Sequence, residues 1–269
     1  MKNFKPLTYL LLISGLLILL SGCRERALLS NVTFSADRIT PNADRESDAL
    51  AITFDLSRSA EISIYFTGQQ GERYYFRDHV YHAPSVERPY RVLFSGVVHG
   101  YTLPGEAFED FSIEQRMLQD GDYTWTVEAI DTEGMMESVT GTMTIANADT
   151  TLPELRGFSI FPTVFTPNRD GINDRATINV HLTKYVDILE VFLTGDDGTR
   201  YYVQERETET ELNAAGWHEF DYDAGVDLGA DPPPDGTYPV TMQAQDAVGQ
   251  WTVATGTLTM GRTDRSQPV

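Results

Sequence analysis

Asp120-Gly121-Asp122-Tyr123-Thr124-Trp125-Thr126-Val127-Glu128-Ala129-Ile130-Asp131 recurs in altered form as Asp235-Gly236-Thr237-Tyr238-Pro239-Val240-Thr241-Met242-Gln243-Ala244-Gln245-Asp246. In the first stretch Tyr123, Trp125, Val127 and Ala129 alternate with polar residues. In the second Tyr238, Val240, Met242 and Ala244 do the same. Successive side chains on an extended backbone point to opposite faces, so period two with one apolar face predicts a half-buried strand. The Asp-Gly pair ahead of each run is turn chemistry.

The repetition extends outward from these strands. Thr140-Gly141-Thr142-Met143-Thr144 pairs with Thr255-Gly256-Thr257-Leu258-Thr259, and Gly134 with Gly249. Upstream, Thr40-Pro41-Asn42-Ala43-Asp44 pairs with Thr166-Pro167-Asn168-Arg169-Asp170. Leu50, Ile52, Phe54 and Leu56 alternate as Ala176, Ile178, Val180 and Leu182 do. Thr67-Gly68 to Gly71 and Thr194-Gly195 to Gly198 precede the twin pairs Tyr74-Tyr75 and Tyr201-Tyr202. Ordered self-similarity of this kind marks a duplicated structural unit. The expected organisation is two units, 31–147 and 153–262, joined by a short polar linker at 148–153 and followed by a loose tail, 263–269. Several short strands per unit predict an all-β chain, two tandem immunoglobulin-like (Ig-like) β-sandwiches. Only 111–118 reads as a short helix candidate.

The ends of both copies, DG-x-Y followed by A-x-D-x-x-G, resemble bacterial Ig-like modules of the FlgD type. Phe165-Thr166-Pro167-Asn168-Arg169-Asp170-Gly171-Ile172-Asn173-Asp174 resembles the start of such modules and of the C-terminal domains of gliding-associated exported proteins. The resemblance covers nearly all of the second copy. It is weaker in the first, whose 77–119 segment is longer and divergent. It implies a β-sandwich with a spacer or binding role, and it implies no enzymatic activity and no hook capping.

The N-terminus sets the expected location. Lys2 and Lys5 precede an apolar run from Leu7 to Leu20, which ends in Leu20-Ser21-Gly22-Cys23. The run is shorter than the ~20 residues a spanning helix needs, and Arg24-Glu25-Arg26 follows at once. This order resembles the lipobox of bacterial lipoproteins. The resemblance implies cleavage of the 1–23 leader before Cys23, lipidation of Cys23 and anchoring in the cell envelope, since each buried methylene of the acyl chains contributes about 0.8 kcal/mol. Arg24 stands where an Asp is associated with inner-membrane retention, which favours the outer membrane, on its periplasmic or outer face.

Composition narrows the function classes. Cys23 is the only cysteine, so the mature chain has no disulfide and no catalytic thiol. The formal net charge is −20, and Lys184 is the only lysine beyond the leader. Such a surface disfavours nucleic acid, whose binding rests on basic side chains. It fits solubility, divalent cations or a basic partner. The sequence contains no G-x-S-x-G, no phosphate loop and no H-E-x-x-H.

Four constellations remain. Asn168, Asp170 and Asp174 surround Gly171 and could ligate calcium, which takes six to eight oxygens. The competing reading is a turn whose Asn and Asp side chains bond their own backbone. In the first copy Arg45 and Glu46 replace Gly171 and Ile172, which favours the turn there. His79 and His82 are spaced as zinc ligands on a helix but sit in an extended region. Glu106, Glu109, Asp110 and Glu114 crowd the divergent segment, as catalytic carboxylate pairs do, but acidic residues are abundant everywhere. Tyr74, Tyr81, Tyr90 and Tyr101 are candidates for a binding face for protein or sugar, with core and edge positions as the alternative. The expectation is a lipid-anchored, non-catalytic binding or scaffolding protein with a protein partner. A carbohydrate-binding or enzyme-accessory lipoprotein is the rival; coplanar, solvent-facing rings would support it.

Overall fold

The computed structural model describes residues 26–206, 211, 213–225 and 233–261. Cys23, the leader and the 263–269 tail lie outside the described residues. The described chain is all-β. Each half places a three-stranded sheet over a larger one, a β-sandwich.

In the first half, β1 (Leu29–Phe34), β3 (Leu50–Leu56) and β6 (Tyr90–Phe94) form the small sheet. The larger has the order β2 (Arg38–Ile39), β10 (Met136–Ile145), β9 (Gly121–Asp131), β4 (Ala60–Thr67), β5 (Arg73–His82). The second half repeats this strand for strand. Here β11 (Leu155–Phe161), β13 (Ala176–Leu182) and β16 (Gly216–Tyr222) face β12 (Val164–Phe165), β18 (Trp251–Met260), β17 (Gly236–Gln245), β14 (Ile188–Thr194) and β15 (Arg200–Val203). The short β2 and β12 both pair parallel to the last strand of their copy, among otherwise antiparallel ladders. Even an irregularity is copied: the register of β1 on β3 shifts between Ser30 and Thr33, and that of β11 on β13 between Arg156 and Ser159.

The alternation read from the sequence is the alternation of burial. In β3 Leu50, Ile52, Phe54 and Leu56 are buried, and in β13 Ala176, Ile178, Val180 and Leu182 are. Each half therefore has its own core. Full burial of a Leu, Ile or Phe side chain stabilises by about 1.5–3 kcal/mol, which holds the sandwiches together without a disulfide.

Two features depart from the sequence expectation. Residues 111–118 form no helix: β8 (Ser112–Met117) is a strand. Its apolar residues find partners across a sheet, and that tertiary context overrides the local helical pattern. Moreover, β8 pairs with β18, and β7 (Val97–His99) pairs with β8, so the divergent segment of the first copy extends the larger sheet of the second. The 148–153 linker is also firmly held. Gln250 is fully buried; its Nε2 donates to the carbonyl of Thr151 at 2.8 Å and to the Asp246 carboxylate at 2.9 Å, and its Oε1 accepts from the Met117 amide. Lys184 Nζ donates to Asp149 at 2.8 Å, Asp246 at 2.9 Å and the Thr151 carbonyl at 3.0 Å. Val97, Met117 and Val248 close a small apolar cluster at the same joint.

Candidate functional site

Tyr123 and Tyr238 begin the strands that follow the Asp-Gly turns. Tyr123 Oη donates to the carbonyl of Gln119 at 2.8 Å, and Tyr238 Oη to that of Pro234 at 2.5 Å. A tyrosine bonding back to the chain four residues upstream is the tyrosine corner of Ig-like sandwiches. It explains why the tyrosine of DG-x-Y recurs: the hydroxyl pins the turn to its own strand.

Each corner tyrosine meets a second tyrosine from the neighbouring hairpin, edge to face. The centroids of Tyr74 and Tyr123 are 6.2 Å apart at 76°, and those of Tyr201 and Tyr238 6.1 Å apart at 89°. The first pair floors a cleft of about 860 Å³ at the end of its sandwich, within the size range of ligand sites. Its sides are Gly68–Tyr74, Tyr101–Pro104 and Gln119–Tyr123. The second pair floors a smaller one of about 230 Å³, between Gly195–Asp197, Tyr201 and Pro234–Tyr238.

The extra wall of the larger cleft comes from the divergent segment, and a buried cation fixes it. Arg116, 2% exposed, binds Glu106 through both terminal nitrogens and donates to the Tyr101 carbonyl at 3.1 Å. Glu106 in turn accepts the Leu103 amide at 2.7 Å. The Arg116 guanidinium also lies over the Tyr101 ring, 5.0 Å from its centroid. Hydrogen bonds from Arg116 hold the Glu106 carboxyl below its ordinary range, against the opposing effect of burial. Burial, and then the Glu72 charge, push Tyr74 up to about 12.

Of the four tyrosines singled out in the sequence, Tyr74 and Tyr101 come together, with centroids 4.6 Å apart at 58°. Tyr81, 66% exposed, stands elsewhere on β5 opposite Glu61. Tyr90 stacks on Phe54 and donates to the Ala83 carbonyl. The tilted rings of Tyr74, Tyr101 and Tyr123 present no coplanar stacking platform. Tyr123 and Arg116 belong to the site as well, although neither stands among the sequence candidates. The repeated DG-x-Y carried the signal for Tyr123, whereas nothing in the local pattern marks Arg116 as buried.

The candidate calcium loop is closed by its own side chains. Asp174 Oδ1 accepts the amides of Asn168 at 3.1 Å and Arg169 at 2.8 Å, and Oδ2 that of Gly171 at 2.6 Å. Asn168 Oδ1 accepts the Asp170 amide and Asp170 Oδ1 that of Ile172. The first copy builds the same network from Asp48, Asn42 and Asp44. Arg45 adopts φ +73° where Gly171 adopts +84°, so the turn survives without glycine. Among the described residues no group of three or more His, Cys, Asp or Glu is placed to hold a metal.

The remaining candidates diverge. His79 bonds Asp78 at 2.6 Å on the surface, whereas His82 packs on Tyr90 and Phe54. Burial, then Arg77, lowers the pKa of His82. Glu106 is spent on Arg116, Asp110 accepts the Gly157 amide at 2.8 Å, and Glu114 accepts from Ser112.

No protein-family model matches the chain, and no curated protein does. Among solved structures it is similar to a tetra-tandem repeat from the extending region of a large adhesion protein. Identity is 17%, 86% of this chain and 50% of that one are covered, and the TM-score is 0.25. A calcium-stabilised adhesin of an Antarctic bacterium gives 16%, 87%, 48% and 0.26. The periplasmic chaperone SfaE gives 13%, 87%, 100% and 0.25. The chain spans about half the length of the two adhesion structures. At such identities and scores these likenesses carry no functional argument, and the β-sandwich class rests on the strands themselves.

Proposed function

We propose that this chain is a non-catalytic binding and scaffolding protein of the bacterial cell envelope, built from two FlgD-like modules, 31–147 and 153–262. Its lipobox-like leader supports anchoring through lipid on Cys23, with the outer membrane favoured by Arg24. The observation that carries the scaffolding role is the joint. Gln250 and Lys184 tie the linker to the second sandwich, and β8 of the first copy is hydrogen-bonded to β18 of the second. A joint with that many polar and ladder contacts resists bending, so the two sandwiches act as one strut that displays its loops away from the membrane. The clefts at the tyrosine corners are the surfaces it offers. The Asn168, Asp170 and Asp174 loop is read as a self-closed turn, with Asn168 Oδ1, Asp170 Oδ1 and both Asp174 oxygens accepting loop amides.

Photoreactive cross-linking in intact cells, with the probe at Thr102 on the wall of the larger cleft, tests the reading. A reproducible protein neighbour, with the chain in the membrane fraction, supports it. Turnover of a substrate by the purified chain, or a chain free of the membrane, overturns it.

A further inference from the structure

The two copies diverge in most positions, yet each sets a carboxylate of its hairpin turn beside its tyrosine cleft, from non-equivalent positions of the turn. At the hairpin turn, a glycine makes room for a carboxylate of the same turn. A Cβ on Gly68 would stand 2.0 Å from Glu72 Oε1, and one on Gly195 3.0 Å from Asp197 Oδ1. The cation that follows the turn has its guanidinium over a ring outside the cleft in both copies, although Arg73 itself borders the first cleft. The Arg73 guanidinium lies over the Tyr65 ring at 4.8 Å, and that of Arg200 over Phe192 at 4.3 Å; neither ring lines a cleft.

Three of the five tyrosine hydroxyl protons at the clefts are also spent. Tyr123, Tyr238 and Tyr101 donate to the carbonyls of Gln119, Pro234 and Met117. What faces the open space is rich in acceptors: Glu72 at the first cleft, and Asp196 and Asp197 at the second. Burial, then Tyr201 and the charges of Asp196, Asp235 and Asp197, raise the pKa of Tyr238, as a locally negative field requires. Such a cleft is matched by a group that only donates, and guanidinium and ammonium are the side chains that do. The rings add a quadrupole that attracts the same charge. A sugar would find no coplanar stacking platform there.

From this we infer that the tyrosine clefts are paired receptors for basic side chains, arginine above all, on a partner polypeptide. The larger, walled cleft of the first copy is the principal one. This rests on the binding role proposed above and names the chemistry of the partner. Two receptors on one strut also make the interaction bivalent, so that the second engagement is intramolecular.

Fluorescence anisotropy of a labelled arginine-glycine repeat peptide, against its neutral citrulline counterpart, tests the inference with the full-length chain in detergent at 0.15 M salt. The citrulline peptide should bind about tenfold more weakly, as loss of a charge-assisted bond implies. E72Q/D196N should weaken the arginine peptide by a similar factor. Both residues are exposed, and an unchanged melting midpoint confirms that the double variant is folded. D37N/E109Q, which removes the same charge at exposed positions away from the clefts, should leave affinity nearly unchanged. Equal losses in the two double variants would assign binding to the diffuse acidic surface and overturn the inference. So would equal affinity for citrulline, which would point to a neutral ligand, or no binding of either peptide. A cellular cross-linking partner that persists in E72Q/D196N would retain the scaffolding role while rejecting these receptors.

Discussion

Asp48 and Asp174 occupy the same place in the two copies, and each carboxylate receives three backbone amides of its own loop. Asp48 accepts from Asn42 at 3.0 Å, Ala43 at 3.1 Å and Arg45 at 2.7 Å; Asp174 accepts from Asn168, Arg169 and Gly171. The loop is organised around an anion that belongs to the chain. D48N would replace that anion with a neutral amide and lose charge-assisted bonds, at a cost of about 1–3 kcal/mol. Urea denaturation at neutral pH measures it.

Asp174 adds a pH dependence. Burial raises its pKa, but the loop amides, those of Gly171, Asn168 and Arg169 foremost, together outweigh burial and hold it below the ordinary value. A carboxyl whose pKa is depressed on folding contributes stability above its unfolded pKa, near 3.9, and loses it as pH falls through the folded value. The D174N variant should therefore show a flatter stability profile than the parent below about pH 4, measured by urea midpoints across the acid range.

Because Asn168 Oδ1, Asp170 Oδ1 and both Asp174 oxygens already accept loop amides, calcium should find little advantage in this loop. Thermal midpoints in excess chelator and in millimolar calcium should coincide. A rise with calcium that D174N abolishes would return the loop to the metal ligands.

At the joint, Lys184 compensates the buried carboxylate of Asp246. Burial lowers the Lys184 pKa, but bonds to Asp149 and Asp246 outweigh it, so the net direction is upward. Its stabilisation is thus full below the unfolded pKa, near 10.4, and lost as pH rises through the folded value. K184M should cost about 2–4 kcal/mol by leaving Asp246 unpaired, and D246N in the same chain should recover part of it. Small-angle scattering of K184M should show a broader distribution of lengths.

The corner hydroxyls can be removed without changing ring shape. Y123F and Y238F should each lower stability by about 1 kcal/mol, because a carbonyl loses its donor. Amide exchange of the Asp-Gly turns should quicken in the altered copy alone.

Much of the fold was legible because it is written in local periodicity. Leu50 to Leu56 and Ala176 to Leu182 alternate as strands must, and the Asp-Gly-x-Tyr turns recur. The destination of Ser112–Met117 was not legible, because strand pairing is a long-range choice: Gln115 faces Trp251, and no local pattern records that. The site was half legible. Tyr74 and Tyr101 belong to one cleft, but composition could not tell them from Tyr90, whose ring is packed against Phe54. Arg116 reads as a surface residue until Glu106 and the Tyr101 carbonyl are seen to enclose it.

The strand that β8 lends to β18 also constrains how such a chain can grow. A unit that borrows an edge strand from its predecessor is not an interchangeable bead. Duplicating residues 153–262 alone would yield a copy with that stretch of β18 unpaired, an invitation to aggregate. Lengthening the strut would require the lender and the borrower to be copied together, so the heritable unit is offset from the folded one.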